Sequence, residues 1–94
     1  MAMQAIINTG REIMPGDHVV VQTNPVRMWG ARIRTDPAGH KVDVDGTVMS
    51  LTFEKDQQTN ELVWYGEAYV RIPIDGTESV YDTFVKITKE NCKE

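Results

Sequence analysis

Residues 46–72 carry the pattern that most narrows what this chain can become. Thr47, Met49, Leu51 and Phe53 share one parity, with Val48, Ser50, Thr52 and Glu54 between them. After a polar stretch at 55–60, Leu62, Trp64, Ala68, Val70 and Ile72 again share one parity, and Gly66 is the gap in the row. A period of two marks a strand with one covered face. Two such runs about a short polar loop predict an antiparallel hairpin over 46–54 and 61–72. If Phe53 opposes Leu62, then Leu51 meets Trp64 and Met49 meets Gly66, so one register covers both apolar rows at once.

The remainder reads as short strands between turn residues. Pro15-Gly16-Asp17 is a turn, and His18-Val19-Val20-Val21-Gln22 after it is rich in β-branched side chains that suit a pleated strand. Thr23-Asn24-Pro25 ends that strand. A second, weaker strand is predicted over 28–34, with Trp29 as its bulky member and Gly30 at a bulge. Asp36-Pro37-Ala38-Gly39 turns the chain, and residues 41–45 then alternate with Val42 and Val44 on one face. Pro73-Ile74-Asp75-Gly76 is a further turn, leading into a last strand over 79–87, whole or preceded by a short 3₁₀ turn. Residues 1–14 form an N-terminal arm or an edge strand, with Asn8-Thr9-Gly10 turning the chain, and 89–94 form a charged tail. No segment has a helical period.

The fold class that follows is mainly β, a small antiparallel barrel of five to six short strands over residues 15–88. Val20, Met49, Leu51, Phe53, Leu62, Trp64, Val70 and Ile87 are its predicted core. Three segments carry a family likeness: Gly16-Asp17-His18-Val19-Val20-Val21 as an opening strand, Asp45-Gly46-Thr47-Val48-Met49-Ser50-Leu51 as a glycine-led central strand, and the terminal strand at 80–87. In this order the chain resembles an SH3-like small β-barrel of the KOW kind. The resemblance implies a fold, not a function. KOW domains that bind nucleic acid or ribosomal partners usually have basic loops, where this chain has Asp43 and Asp45.

A chain of 94 residues makes one domain with a thin core. No apolar run approaches the roughly 20 residues that a membrane helix needs, and the N-terminus has neither a basic region nor a long apolar one. The expected compartment is the cytoplasm, with no membrane partner. Cys92 is the only cysteine, so no internal disulfide can form, and it reads as a bystander in a frayed tail. The net charge of −4 disfavours general affinity for nucleic acid. The positive charge that exists is local, in Arg27, Arg32, Arg34 and Lys41, while the chain beyond Lys41 is dominated by acids.

No catalytic constellation stands out. Ser50 and Ser79 lack a nucleophile elbow, and His18 and His40 are too few for a zinc site. Asp43-Val44-Asp45-Gly46 lacks the further ligands of a calcium loop. Neither a metal nor a cofactor is implied. The candidate binding residues are Arg27, Trp29, Arg32 and Arg34 in one segment, and Tyr65 and Tyr69 on the outer face of a strand. A tryptophan among arginines can stack a ring while the guanidinium groups hold an anion; as a purely structural residue Trp29 would cap the barrel end. Tyrosines on an outer strand face suit an interface, or they cover a second small core. The expected function is a non-enzymatic protein-interaction module, an inhibitor or adaptor that self-associates, with a protein partner that includes the chain itself. Two alternatives remain: a nucleic-acid-binding barrel using Trp29 and its arginines, and a small-ligand-binding or catalytic oligomer whose site forms at a subunit interface.

Overall fold

The structure, a computed structural model, describes residues 4–93. Residues 1–3 of the expected arm and residue 94 of the expected tail lie outside this range. Eight strands follow in order: β1 (Ala5–Ile6), β2 (Glu12–Ile13), β3 (His18–Thr23), β4 (Val26–Trp29), β5 (Arg32–Thr35), β6 (Val42–Lys55), β7 (Leu62–Asp75) and β8 (Val80–Ile87). The mainly β reading holds.

The predicted hairpin is present as β6 and β7, each of 14 residues. Its register differs from expectation: Phe53 faces Trp64, Leu51 faces Gly66, and Lys55 faces Leu62. The loop is tighter than the pattern implied. The Asp56 amide donates to the Glu61 carbonyl at 2.8 Å, the Asp56 carboxylate accepts from the Gln58 amide at 2.8 Å, and Asn60 takes a φ of 62°. A slip of two residues keeps every side chain on its face, so the apolar rows still meet.

The larger correction is a bulge. Val48 pairs with Ala68 and Ser50 with Glu67, which leaves Met49 without a partner. An unpaired residue reverses the facing of everything beyond it. Val44, Gly46 and Val48 are buried before the bulge, whereas Leu51 and Phe53 turn inward after it. Met49, predicted to be core, is 51% exposed, as is Leu62 at the loop end of β7. Strand β7 has no bulge, and Gly66, Ala68, Val70, Ile72 and Ile74 are buried at alternate positions along it. A Cβ on Gly66 would run into the Ser50 carbonyl oxygen, so the bulge needs glycine opposite it.

β3 lies antiparallel to β6, from His18 opposite Thr47 to Thr23 opposite Val42. β8 lies antiparallel to β7, from Gly66 opposite Ile87 to Pro73 opposite Val80. Pro73 and Ile74 therefore belong to the strand, and the turn predicted there falls later, where the Ile74 carbonyl accepts from the Thr77 amide at 3.1 Å. β4 runs parallel to the end of β7, with Val26 opposite Ile74, and pairs antiparallel with β5. The strand order is β3-β6-β7-β4-β5, with β8 also on β7. Among the described residues, strand pairing does not close this sheet into the expected barrel. The chain returns to β3 only through a short hook, in which Val21 bridges Cys92 and the Gln22 amide donates to the Asn91 carbonyl at 2.8 Å.

Branched aliphatic residues dominate the core. Val19 and Val21 are buried, and Val20 between them, predicted to be core, is half-buried on the other face. Val70 and Ile87 are buried as predicted; Leu51, Phe53 and Trp64 are partly buried against the core cluster. The small β1–β2 ribbon adds Ala5, Ile7 and Ile13, each 1% exposed, and its Ile6 carbonyl accepts the Trp64 indole N–H at 3.1 Å. Cys92 is fully buried and belongs to the core, which replaces the expected bystander in a frayed tail.

Two outcomes are expected. Gly66→Ala should lose about 1–3 kcal/mol of stability in urea unfolding, the range for overpacking, while Met49→Ala should stay within about 0.5 kcal/mol. An unchanged midpoint for Gly66→Ala would show that the bulge does not press on this residue. Burial pushes the Cys92 thiol above its ordinary range, against a smaller lowering by Arg11. The fold thus holds the proton that the unfolded chain releases near pH 8.5. Stability from this group should be complete below that pH and fall as pH rises towards the folded-state value. The thiol should react with an aromatic disulfide reagent only at the rate of unfolding; immediate labelling of folded protein would contradict this.

Candidate functional site

The segment predicted as one strand over 28–34 is two strands. Gly30, with a φ of 64°, and Ala31 form a two-residue turn, so β4 and β5 make a hairpin and Gly30 is not at a bulge. A positive φ at the first turn position alone suits a type II′ turn, whose twist matches that of paired strands. Arg27 faces Arg34, Met28 faces Ile33, and Trp29 faces Arg32. Since opposed residues share a face and facing alternates along a strand, Arg27, Trp29, Arg32 and Arg34 line one face. Met28 and Ile33 line the other, 44% and 43% exposed.

The charges on this face are not equivalent. Arg27 Nε lies 3.4 Å from Asp36 Oδ2 and 3.6 Å from Asp75 Oδ2, so two carboxylates balance it. Among the described residues Arg32 and Arg34 make no ion pair. Trp29 is 71% exposed and caps nothing. The hairpin therefore offers an aromatic plate between guanidinium groups, anchored at its base by Val26, which is fully buried.

Tyr65 and Tyr69 lie on the outer face of β7 and are half-buried. Their covering comes from neighbours the sequence pattern did not reveal. Phe84 on β8 meets Tyr69 edge-on at 5.7 Å, and Lys86 Nζ stands 4.9 Å from the Tyr65 ring centre. The Tyr65 hydroxyl donates to Glu54 Oε1 at 3.0 Å. That bond, and then the carboxylate charge itself, push the Tyr65 phenol above its ordinary range. Arg71 pairs with Asp82 at 3.3 Å. Its guanidinium is pushed up, first by a hydrogen bond with Tyr69 and then by the Asp82 charge.

Beside this face lies an open trough of about 490 Å³, lined among others by His18, Asp43, Asp45, Thr47, Tyr69 and Arg71. His18 Nε2 is 3.0 Å from Asp45 Oδ1, but both side chains are largely exposed and, among the described residues, no third group engages the imidazole. Among the described residues no three His, Cys, Asp or Glu side chains converge on a metal position, and no helix is long and apolar enough to cross a membrane.

The structure thus brings Arg27, Trp29, Arg32 and Arg34 together on one hairpin and sets Tyr65 and Tyr69 on a separate, cross-linked sheet face. Phe84, Asp36 and Asp75 were missed because each approaches only through strand pairing. Compared with known proteins, the chain matches no protein family, no curated protein and no solved structure.

If Trp29 is held out for a partner, removing it costs the fold little. Trp29→Ala should change unfolding free energy by no more than about 0.5 kcal/mol, and Trp64→Ala should lose about 3 kcal/mol. Iodide quenching should reach Trp29 and largely spare Trp64. Comparable losses from the two variants would return Trp29 to a packing role.

Proposed function

We propose that this chain is a non-enzymatic protein-interaction module of the inhibitor or adaptor kind, which presents its β4–β5 hairpin to an acidic partner surface in the cytoplasm. One observation carries the reading: Trp29, 71% exposed, shares a hairpin face with Arg32 and Arg34, which make no ion pair among the described residues, on a chain of net charge −4. Tryptophan and arginine dominate the centres of protein interfaces, because each brings a large contact area with a directional polar group. Arginine also binds carboxylates through two parallel hydrogen bonds. The likeness to SH3-like barrels belongs to the same proposal, supported by the β6–β7–β8 meander and the hook that returns to β3.

Nucleic acid fits this face less well. Duplex affinity depends on releasing counterions, with a log–log salt slope of about −0.9 for each phosphate neutralised. Two uncompensated guanidinium groups support a slope of about −2, and the surrounding acids oppose approach.

A displayed random-peptide library tests the reading. Peptides enriched on the wild type should be rich in Asp and Glu. They should bind Trp29→Ala about thirtyfold more weakly, as a hot-spot residue of about 2 kcal/mol requires, and should also lose affinity for Arg32→Ala/Arg34→Ala. Equal binding to both variants would overturn the assignment. Oligonucleotide binding at low salt that disappears in the same variants would favour the nucleic-acid alternative.

A further inference from the structure

The edges of the sheet are treated unequally. The outer edge of β3 takes the C-terminal hook, with the Lys93 amide donating to the Val20 carbonyl at 2.8 Å. β5 is only four residues long and carries Arg32 and Arg34. Strand β8 has eight residues, without proline or bulge, and among the described residues it pairs with β7 alone. Only its C-terminal end is partly occupied, where the Lys86 carbonyl accepts from Asn91 Nδ2 at 2.9 Å. A long regular edge left open is a template for another strand.

The side chains of β8 say which strand. Val80, Asp82, Phe84 and Lys86 point outward; Tyr81, Thr83 and Val85 are half-buried on the inner side. Phe84 is 56% exposed, with Asp82 two residues before it and Lys86 two after. In antiparallel self-pairing, facing must match, so only registers that join outward to outward residues survive. Centring the pair on Asp82 or on Lys86 opposes like charges. Centring it on Thr83 or Val85 sets Phe84 against a charge. Centring it on Phe84 stacks the two phenylalanines on the two-fold axis and sets Asp82 opposite Lys86 of the second copy, twice. Inside, Thr83 then meets Val85, and Tyr81 meets Ile87.

We infer that β8 is the pairing edge of a two-fold dimer of this chain, with Phe84 on the axis and two reciprocal Asp82–Lys86 pairs beside it. Within one copy Asp82 already meets Arg71 and Lys86 lies over Tyr65, so each charge is held in place on the outer face. Opposite charges directly across a strand pair stabilise it, and like charges destabilise it. A two-fold contact is self-complementary and closes, so it seals both edges without growing a fibre. The inference uses none of the hairpin residues and stands or falls apart from the proposed function.

Analytical ultracentrifugation with charge exchange tests it. Wild-type protein should sediment as a dimer. Asp82→Lys and Lys86→Asp should each dimerise at least tenfold more weakly, since each sets like charges across the axis. Their equimolar mixture should regain a one-to-one dimer of wild-type affinity, because the exchanged charges again oppose. Trp29→Ala should dimerise as the wild type does. Wild-type protein that stays monomeric up to its solubility limit, or a mixture no tighter than its components, overturns the inference. So does loss of the dimer in Trp29→Ala, which would move assembly to the hairpin. Should either charge variant fail to fold, cysteine cross-linking decides: under mild oxidation Phe84→Cys copies should join to one another and Val80→Cys copies should not. Equal cross-linking, or none at Phe84→Cys, overturns the register.

Discussion

The close approach of Gly66 to the Ser50 carbonyl is the contact on which the rest depends. β7 is unbroken and keeps Trp64, Ala68 and Val70 on one face. Val48 opposite Ala68 and Phe53 opposite Trp64 must turn to that same face, although an odd number of positions separates them. The bulge at Met49 supplies the extra residue, so that Val44 and Val48 before it and Leu51 and Phe53 after it all face the core. It does so at the one place where β7 has no Cβ to resist it. The elongation of the molecule, 50 Å in its longest extent with a radius of gyration of 14.8 Å, follows from keeping the hairpin in one piece; a compact chain of this length would have about 12 Å.

This also explains what was legible beforehand. β7 could be read from 62 to 72, since Trp64, Ala68, Val70 and Ile72 hold one parity with only Gly66 as a gap, and only Pro73 and Ile74 were misplaced in a turn. β6 misled because Thr47, Met49, Leu51 and Phe53 imitate an unbroken strand, and only tertiary contact with Gly66 shows the break. The barrel was expected because short strands between turns favour closure; the pairing shows open edges and a single returning bridge. At the β4–β5 hairpin, composition alone drew attention to Arg27, Trp29, Arg32 and Arg34, but Gly30-Ala31 lacks the asparagine–glycine signature of a tight turn. Reading Gly30 as a bulge hid the shared face. It also hid the difference between Arg27, balanced by Asp36 and Asp75, and the two arginines that make no ion pair among the described residues.

Electrostatics then divides the surface in two. The outer face of β6, β7 and β8 is internally paired: Glu54 with Tyr65, Arg71 with Asp82, Lys86 with Tyr65. Such pairs, in solvent, add little stability each, but they fix side chains that would otherwise lose entropy on binding. The hairpin is the opposite case. Among the described residues Arg32 and Arg34 make no ion pair, and Trp29 is 71% exposed.

The treatment of edges joins these two surfaces. Arginines on a short strand discourage sheet extension at β5, which leaves the side chains of the hairpin, and not its backbone, open to contact. β8 lacks that protection and carries charges that select their own mirror arrangement. A dimer formed there would carry two hairpins in fixed relation. A partner with two acidic sites at the matching separation would then bind the second at high effective concentration, without any new contact. Modest affinity at each hairpin would suffice, which is what a thin domain with one exposed tryptophan and two uncompensated arginines can offer.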